Sequence, residues 1–269
     1  LGTVVLVVGK GNKNFITIGM VNIVVSANAG GAFSPFGDIT TLMVWQRGFV
    51  SFFDFFNIFI PSVVNYIIPA VIMSFFISNK VPKGDGKKVQ ILPGGKVIAI
   101  LGILTITMTV TGHQLLHMPP VFGMMFGLGL LGTYGYFLKI KSTEKNRFDI
   151  FQLTGKAEWD TLLFFYGILV SVGGLAALGY LKLISDDMYI TLGPTYANIL
   201  VGFLSAIIDN IPIVYAVLTA HPSMDMGQWL LITLTAGVGG SLLSIGSAAG
   251  VALMGQARGI YTFFAHLKW

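Results

Sequence analysis

Asp38 and Asp209 are the only acidic residues that fall deep inside apolar stretches of this chain. A carboxylate near mid-membrane costs about 2.5 to 3.5 kcal/mol on insertion scales, so an ionisable residue at that depth reads as part of a transport path. Stripped of water, a carboxylate favours its protonated form and takes up a proton near neutral pH when no metal ion is bound. Oxygen atoms of the kind hard cations choose stand near both acids or in a matching segment. Ser34 and Thr40 flank Asp38, Asn210 follows Asp209, and Ser244 and Ser247 stand in the matching segment. A site that holds Na⁺ or H⁺, but not both at once, is already an exchanger. Each residue has a plainer reading too. Asp38 suits the N-cap of a helix restarting at Ile39, and Asp209 suits the cap of one starting at Ile211-Pro212. Asn28, Asn210, Thr41 and Ser205 fit ligation or interhelical hydrogen bonding equally well. Capping does not exclude ion binding.

Glycines mark where such residues would be exposed. Gly30-Gly31, five residues, then Gly37-Asp38 is matched by Gly239-Gly240, five residues, then Gly246-Ser247. Each copy interrupts an apolar segment and is rich in small and hydroxyl residues. Backbone that is not helical is tolerated at membrane depth only where it is buried in protein or lines a cavity. The spacing therefore predicts unwound backbone at 30–37 and 239–246, with carbonyl oxygens of Gly30, Gly31, Gly239 and Gly240 free to face a cation. Half-helix C-termini favour cations and N-termini anions, so the two carboxylates decide for a cation.

The elements that must position these residues are membrane helices. Of 269 residues, 54% are hydrophobic and only 10% charged, and mean hydropathy is +0.80. That is too little charge to cover a water-facing surface. The reading is all-α and polytopic, with spans at 52–78, 97–117, 119–140 and 161–181 and interrupted segments at 15–46, 197–220 and 229–268. The short alternating segments of an outer-membrane barrel are absent from the sequence. The net charge of +5 is spread over loops, which argues against nucleic acid. No cysteine is present, so thiol chemistry is excluded. No haem, phosphate-loop or metal-enzyme spacing occurs, and no cofactor is expected beyond the transported ion. His113 and His117 end a span and read as interfacial, while Arg258 snorkels.

Basic loops at 80–96 and 139–156 are separated by two spans and share a side, the cytoplasmic one by the positive-inside rule. The segment 141–159 reads equally as an amphipathic connector or a solvated loop, and 182–195 as an outward loop. With "DNIP" at the tip of a re-entrant hairpin over 197–220, the second interrupted helix runs opposite to the first. Inverted pairs of interrupted helices are the signature of a secondary transporter. The chain then has three parts: 1–78 as the end of a first repeat, 79–160 as cytoplasmic loops and a connecting helix pair, and 161–269 as the second repeat. Asn210 precedes Gly239 by 29 residues, which puts the first hairpin's tip at or before residue 1. The chain opens inside an apolar run and reads as a C-terminal fragment.

At these residues the sequence resembles the NhaD-type sodium/proton antiporters of the wider ion-transporter superfamily, which includes arsenite and dicarboxylate carriers. "SANAGGAFSPFGDITTLMVW" (26–45) is similar to that family's first signature, "SAIIDNIPIVYAV" (205–217) to its second, and "GVGGSLLSIGSAAGVALMG" (237–255) to the region beyond it. The resemblance implies two inverted repeats of hairpin plus broken helix, a homodimer, and alternating access in a bacterial inner membrane. It implies exchange of cytoplasmic Na⁺ or Li⁺ for external H⁺ through Asp38 and Asp209. The alternatives are an anion, dicarboxylate or arsenite carrier of the same superfamily, and a non-transporting membrane subunit.

Overall fold

The computed structural model describes residues 1–77, 94–141, 155 and 159–269, and among them every regular element is a helix. The chain divides into two compact units, Leu1–Gly84 with Phe164–Trp269, and Asp85–Leu163. The expected basic loops and the connector at 141–159 lie largely outside the described residues.

The larger unit opens with α1 (Gly2–Val8) and α2 (Lys13–Ala32). Asn12 caps α2 by accepting from the Phe15 N–H at 3.1 Å. α2 stops at Ala32, the backbone turns through 33–37, and α3 (Ile39–Gln46) restarts on Asp38 as its N-cap. A 3₁₀ turn (Asp54–Ile58) leads into α4 (Phe59–Ser74), and the two together are long and apolar enough to cross a membrane.

The second half departs from expectation at two places. α7 (Trp159–Ala177) and α8 (Tyr180–Leu204) meet at a 78° bend, with Gly179 at φ 83°. Most of the stretch 182–195 expected as a loop is therefore helical, up to Gly193. Its Lys182, Asp186 and Asp187 suggest solvent, but Lys182 and Asp186 pair at 3.0 Å one helical turn apart, which supports an exposed helix face. Gly193 (φ 73°, ψ 159°) is not helical, so α8 is two helical stretches that meet at a kink at Gly193-Pro194. Tyr189 Oη donates to Asn198 Oδ1 across that kink at 2.8 Å. The chain continues through α9 (Asn210–Ala220), α10 (Met226–Gly239), α11 (Ala248–Gln256) and α12 (Phe263–Leu267). The second broken helix thus covers 226–256, and the expected single segment to 268 instead ends in a separate short helix.

Two core clusters give the directions of the broken helices. One joins Val44, Trp45 and Val50, after the first break, to Trp229, Leu230 and Ile232, before the second. The other joins Ile16, Ile18 and Met20 to Leu253, Ala257 and Tyr261. The start of each broken helix packs on the end of the other, so they run antiparallel. In lipid such contacts depend on close packing of small residues more than on exclusion of water.

The end of α8 and α9 form the hairpin. Val201, Val214, Val217 and Leu218 belong to the cluster around Trp45 and Trp229, and His221 lies 5.0 Å ring to ring from Phe49. At the other arm, Asn198 Nδ2 donates to the Gln228 carbonyl at 3.0 Å. Both arms thus start from one end of the unit, while the tip at 205–209 reaches the helix breaks. With 11 residues, α9 is about 16 Å long, half the thickness of a hydrocarbon core.

The smaller unit holds α5 (Gly95–Leu116) and α6 (Pro120–Lys141) as a helix pair. Gly123 and Gly127 of α6 lie against Thr109 and Thr105 of α5 too closely for a methyl group, the usual device for bringing membrane helices together.

Candidate cation site

Each break is closed by glycine backbones touching. A methyl at Gly31 would sit 2.8 Å from the Gly37 carbonyl oxygen, and one at Gly240 would sit 2.6 Å from that of Gly246. The spacing is the same in both copies, and both lead into an extended residue. Asp38 (φ −141°, ψ 155°) precedes α3, and Ser247 (φ −152°, ψ 152°) precedes α11. The glycine pairs themselves are not unwound, contrary to expectation. Gly30 and Gly31 lie within α2, Gly239 ends α10 and Gly240 is its C-cap. Unwinding is confined to 33–37 and 241–246, because the pairs serve close approach: Gly239 packs on the Gly202 backbone, while Gly30 faces open space.

Asp38 and Asp209 are both helix caps. Asp38 Oδ1 accepts from the Thr40 N–H at 3.4 Å, and Asp209 Oδ1 accepts from the Ile211 N–H at 3.0 Å. Both carboxylates therefore sit at helix N-termini, where the dipole holds negative charge. Asn210 joins the two places: it begins α9 beside Asp209, and its Nδ2 donates to Asp38 Oδ2 at 3.0 Å. The two acids lie within electrostatic reach of one another. Gly237 of α10 completes one wall, since a methyl there would meet Asp38 Oδ2 at 3.9 Å, ordinary contact.

Thr40 and Thr41 divide the work of their neighbourhood, and both are fully buried. Thr41 Oγ1 lies 2.8 Å from both the Ser34 and Asp38 carbonyl oxygens, and it accepts from the Asp38 N–H at 3.3 Å. Thr40 Oγ1 has no hydrogen-bond partner, an orphaned hydroxyl of the kind that calls for an explanation. Ser34 turns inward on its own loop, where Oγ accepts from the Phe36 N–H at 3.4 Å.

The serines of the second break are arranged otherwise. Ser247 Oγ accepts from Asn28 Nδ2 at 3.1 Å. Asn28 thereby ties α2 to the start of α11, as Asn210 ties α9 to the start of α3. Ser244 is buried with Oγ 3.2 Å from Met254 Sδ, and no hydrogen bond brings it to either carboxylate. Ser205 donates to the Gly202 and Ala236 carbonyls at 2.9 and 2.8 Å, which makes it a tip anchor. Of the expected residues, the structure brings Asp38, Thr40, Asp209 and Asn210 together and sets Ser247 on a second, matching contact. Sequence reasoning left Asn28 and Thr41 open between ligand and brace and overlooked Gly237; only the glycine spacing pointed toward them. Among the described residues no three His, Cys, Asp or Glu side chains form a cluster. A cation here would be held by carboxylate, amide, hydroxyl and carbonyl oxygens, a set that suits a hard ion.

Antiparallel broken helices with a hairpin tip at their crossing are an arrangement that membrane secondary transporters use. The chain belongs to the CitMHS family, described as "Citrate transporter", whose model matches residues 1–237. It is 55% identical to the Na(+)/H(+) antiporter NhaD of Alkalimonas amylolytica over 99% of this chain and 60% of that protein. It is 53% identical to the NhaD of Vibrio parahaemolyticus over 99% of this chain and 70% of that one. Sodium/proton antiporter 1 of Arabidopsis thaliana is 36% identical over 88% of this chain and 43% of its own. The chain thus spans about three fifths of the length of the first of these relatives. The similarity to the NhaD-type antiporters extends well beyond the three signatures. No solved structure matches the chain.

Proposed function

We propose that the protein is a secondary active transporter that expels Na⁺ or Li⁺ in exchange for external H⁺, with Asp38 and Asp209 carrying the cation and the protons in turn. The observation that carries this reading is the Asn210 bridge, which draws two membrane-embedded carboxylates on separate half-helices into one place. The similarity to NhaD antiporters over 99% of the chain supports it. In the proton-loaded form a carboxylate needs no counter-charge. In the cation-loaded form Asp38, Asp209, the Thr40 hydroxyl and nearby carbonyls supply oxygens, and the two helix N-termini steady the acids. The inverted repeats would open this site to each side in turn. We place the protein in the inner membrane of a bacterium, as a homodimer and not as an enzyme.

Dequenching of a ΔpH-sensitive dye in everted vesicles tests the reading. Na⁺ and Li⁺ should dissipate the gradient, while K⁺ and citrate should not. Asp209→Asn should abolish the response while the protein still inserts, because an amide caps the helix nearly as well but cannot carry a proton. A response to citrate alone would move the reading to anion transport, the activity named in the family's description.

A further inference from the structure

We infer that His266 and Tyr261 are positioning residues that hold the second helix break in the shape the cation requires; this rests on the exchange reading. The two breaks have the same backbone contact but different braces. In the first, Thr41 pins the loop from within, bonding the Ser34 and Asp38 carbonyls. The matching position of the second is Gly250, whose missing side chain makes room for the Ser244 backbone. No internal hydroxyl can do there what Thr41 does.

The brace comes from α12 instead. His266 Nε2 lies 2.8 Å from the Ser241 carbonyl oxygen, in the first turn after α10. A carbonyl only accepts, so Nε2 carries the hydrogen and Nδ1 presents a lone pair. Tyr261 Oη, 2.5 Å from Nδ1, donates to it. Both side chains are at most 2% exposed, and Thr262 fixes the helix that presents the histidine by accepting from the Ala265 N–H at 3.3 Å. Phenol, imidazole and carbonyl form one chain in which the tyrosine selects the tautomer and the histidine aims the 241–242 peptide. Ser244 and Ser247 lie three and six residues further along the same loop. A peptide released at Ser241 displaces both, and with Ser247 the Asn28 contact.

The test uses His266→Ala, His266→Gln and Tyr261→Phe in membranes carrying the protein, with Leu242→Cys as a reporter, since the chain has no other cysteine. Two quantities are read: the rate at which N-ethylmaleimide labels residue 242, and the Na⁺ concentration giving half-maximal exchange. His266→Ala should raise both roughly tenfold, the scale set by losing a buried hydrogen bond. His266→Gln, whose amide can donate to the same carbonyl, should bring both back to within about twofold. Tyr261→Phe keeps ring and volume and should shift both by less than the alanine change, and it decides the matter if His266→Ala fails to insert. Unchanged labelling in His266→Ala overturns the brace. Faster labelling with an unchanged Na⁺ dependence overturns the positioning role and leaves only a structural staple. The labelling does not need transport, so absence of Na⁺-driven exchange in the parent protein would count against the exchange reading and leave the brace to be judged on labelling.

Discussion

Replacing Thr40 by valine separates what folding wants from what ion binding wants. Its Oγ1 is buried with no hydrogen-bond partner, and an unsatisfied buried hydroxyl costs about 1 to 3 kcal/mol. Thr40→Val should therefore raise the thermal stability of the detergent-solubilised protein, while the Na⁺ needed for half-maximal exchange rises several-fold. Equal stability and equal affinity would mean that the hydroxyl has no role. Asp38→Asn should be nearly neutral for folding, since Asn caps as well as Asp, yet severe for exchange. At this scale the acids were legible because they are the only carboxylates deep inside apolar stretches. The hydroxyls were not. Ser244 and Thr40 look alike in sequence, and only packing turns one toward Met254 Sδ and leaves the other buried without a partner in the turn that Asp38 caps.

Between helices, the glycines decide. Alanine favours a helix over glycine by about 1 kcal/mol, so Gly30→Ala, with open space around it, should be neutral or stabilising and leave exchange intact. Gly31→Ala and Gly240→Ala would drive a methyl into the carbonyls of Gly37 and Gly246, and both should weaken Na⁺ binding. Assays of exchange and melting temperature across the three variants check this. Gly127 would be a poor control because it faces Thr105, whereas Gly132 has nothing near it and serves well. The sequence marked the breaks within a few residues but misplaced their edges, because a Gly-Gly pair looks the same whether it unwinds a helix or lets another backbone approach. The bend at Gly179 was hidden for a related reason. A helix with charged residues on an exposed face and a Gly-Pro inside it has the composition of a loop.

For the whole molecule, the hairpin makes a claim about sides. Cysteines at Arg47, Tyr196 and Ser223 should react with an impermeant maleimide from the same face of the membrane, and one at Lys10 from the opposite face. Labelling of 196 and 223 from different faces would turn the hairpin into a full span. The antiparallel repeats could be foreseen from charge and glycine spacing because both are properties of the chain alone. The ties between Asn28 and Ser247 and between Asn210 and Asp38 link residues 219 and 172 positions apart, and no local pattern announces them. The self-closed breaks have a mechanical corollary. A loop whose glycine backbones already touch has no slack, so it is a poor hinge, and a moving part built on it travels as a rigid piece. Compliance belongs where the backbone is left-handed and surrounded by free space, as it is at Gly48 and Gly179. Those two joints lie just after the first broken helix and just before α8, which leads into the hairpin, so under the proposed exchange they would let these elements move without loosening the hold on the cation.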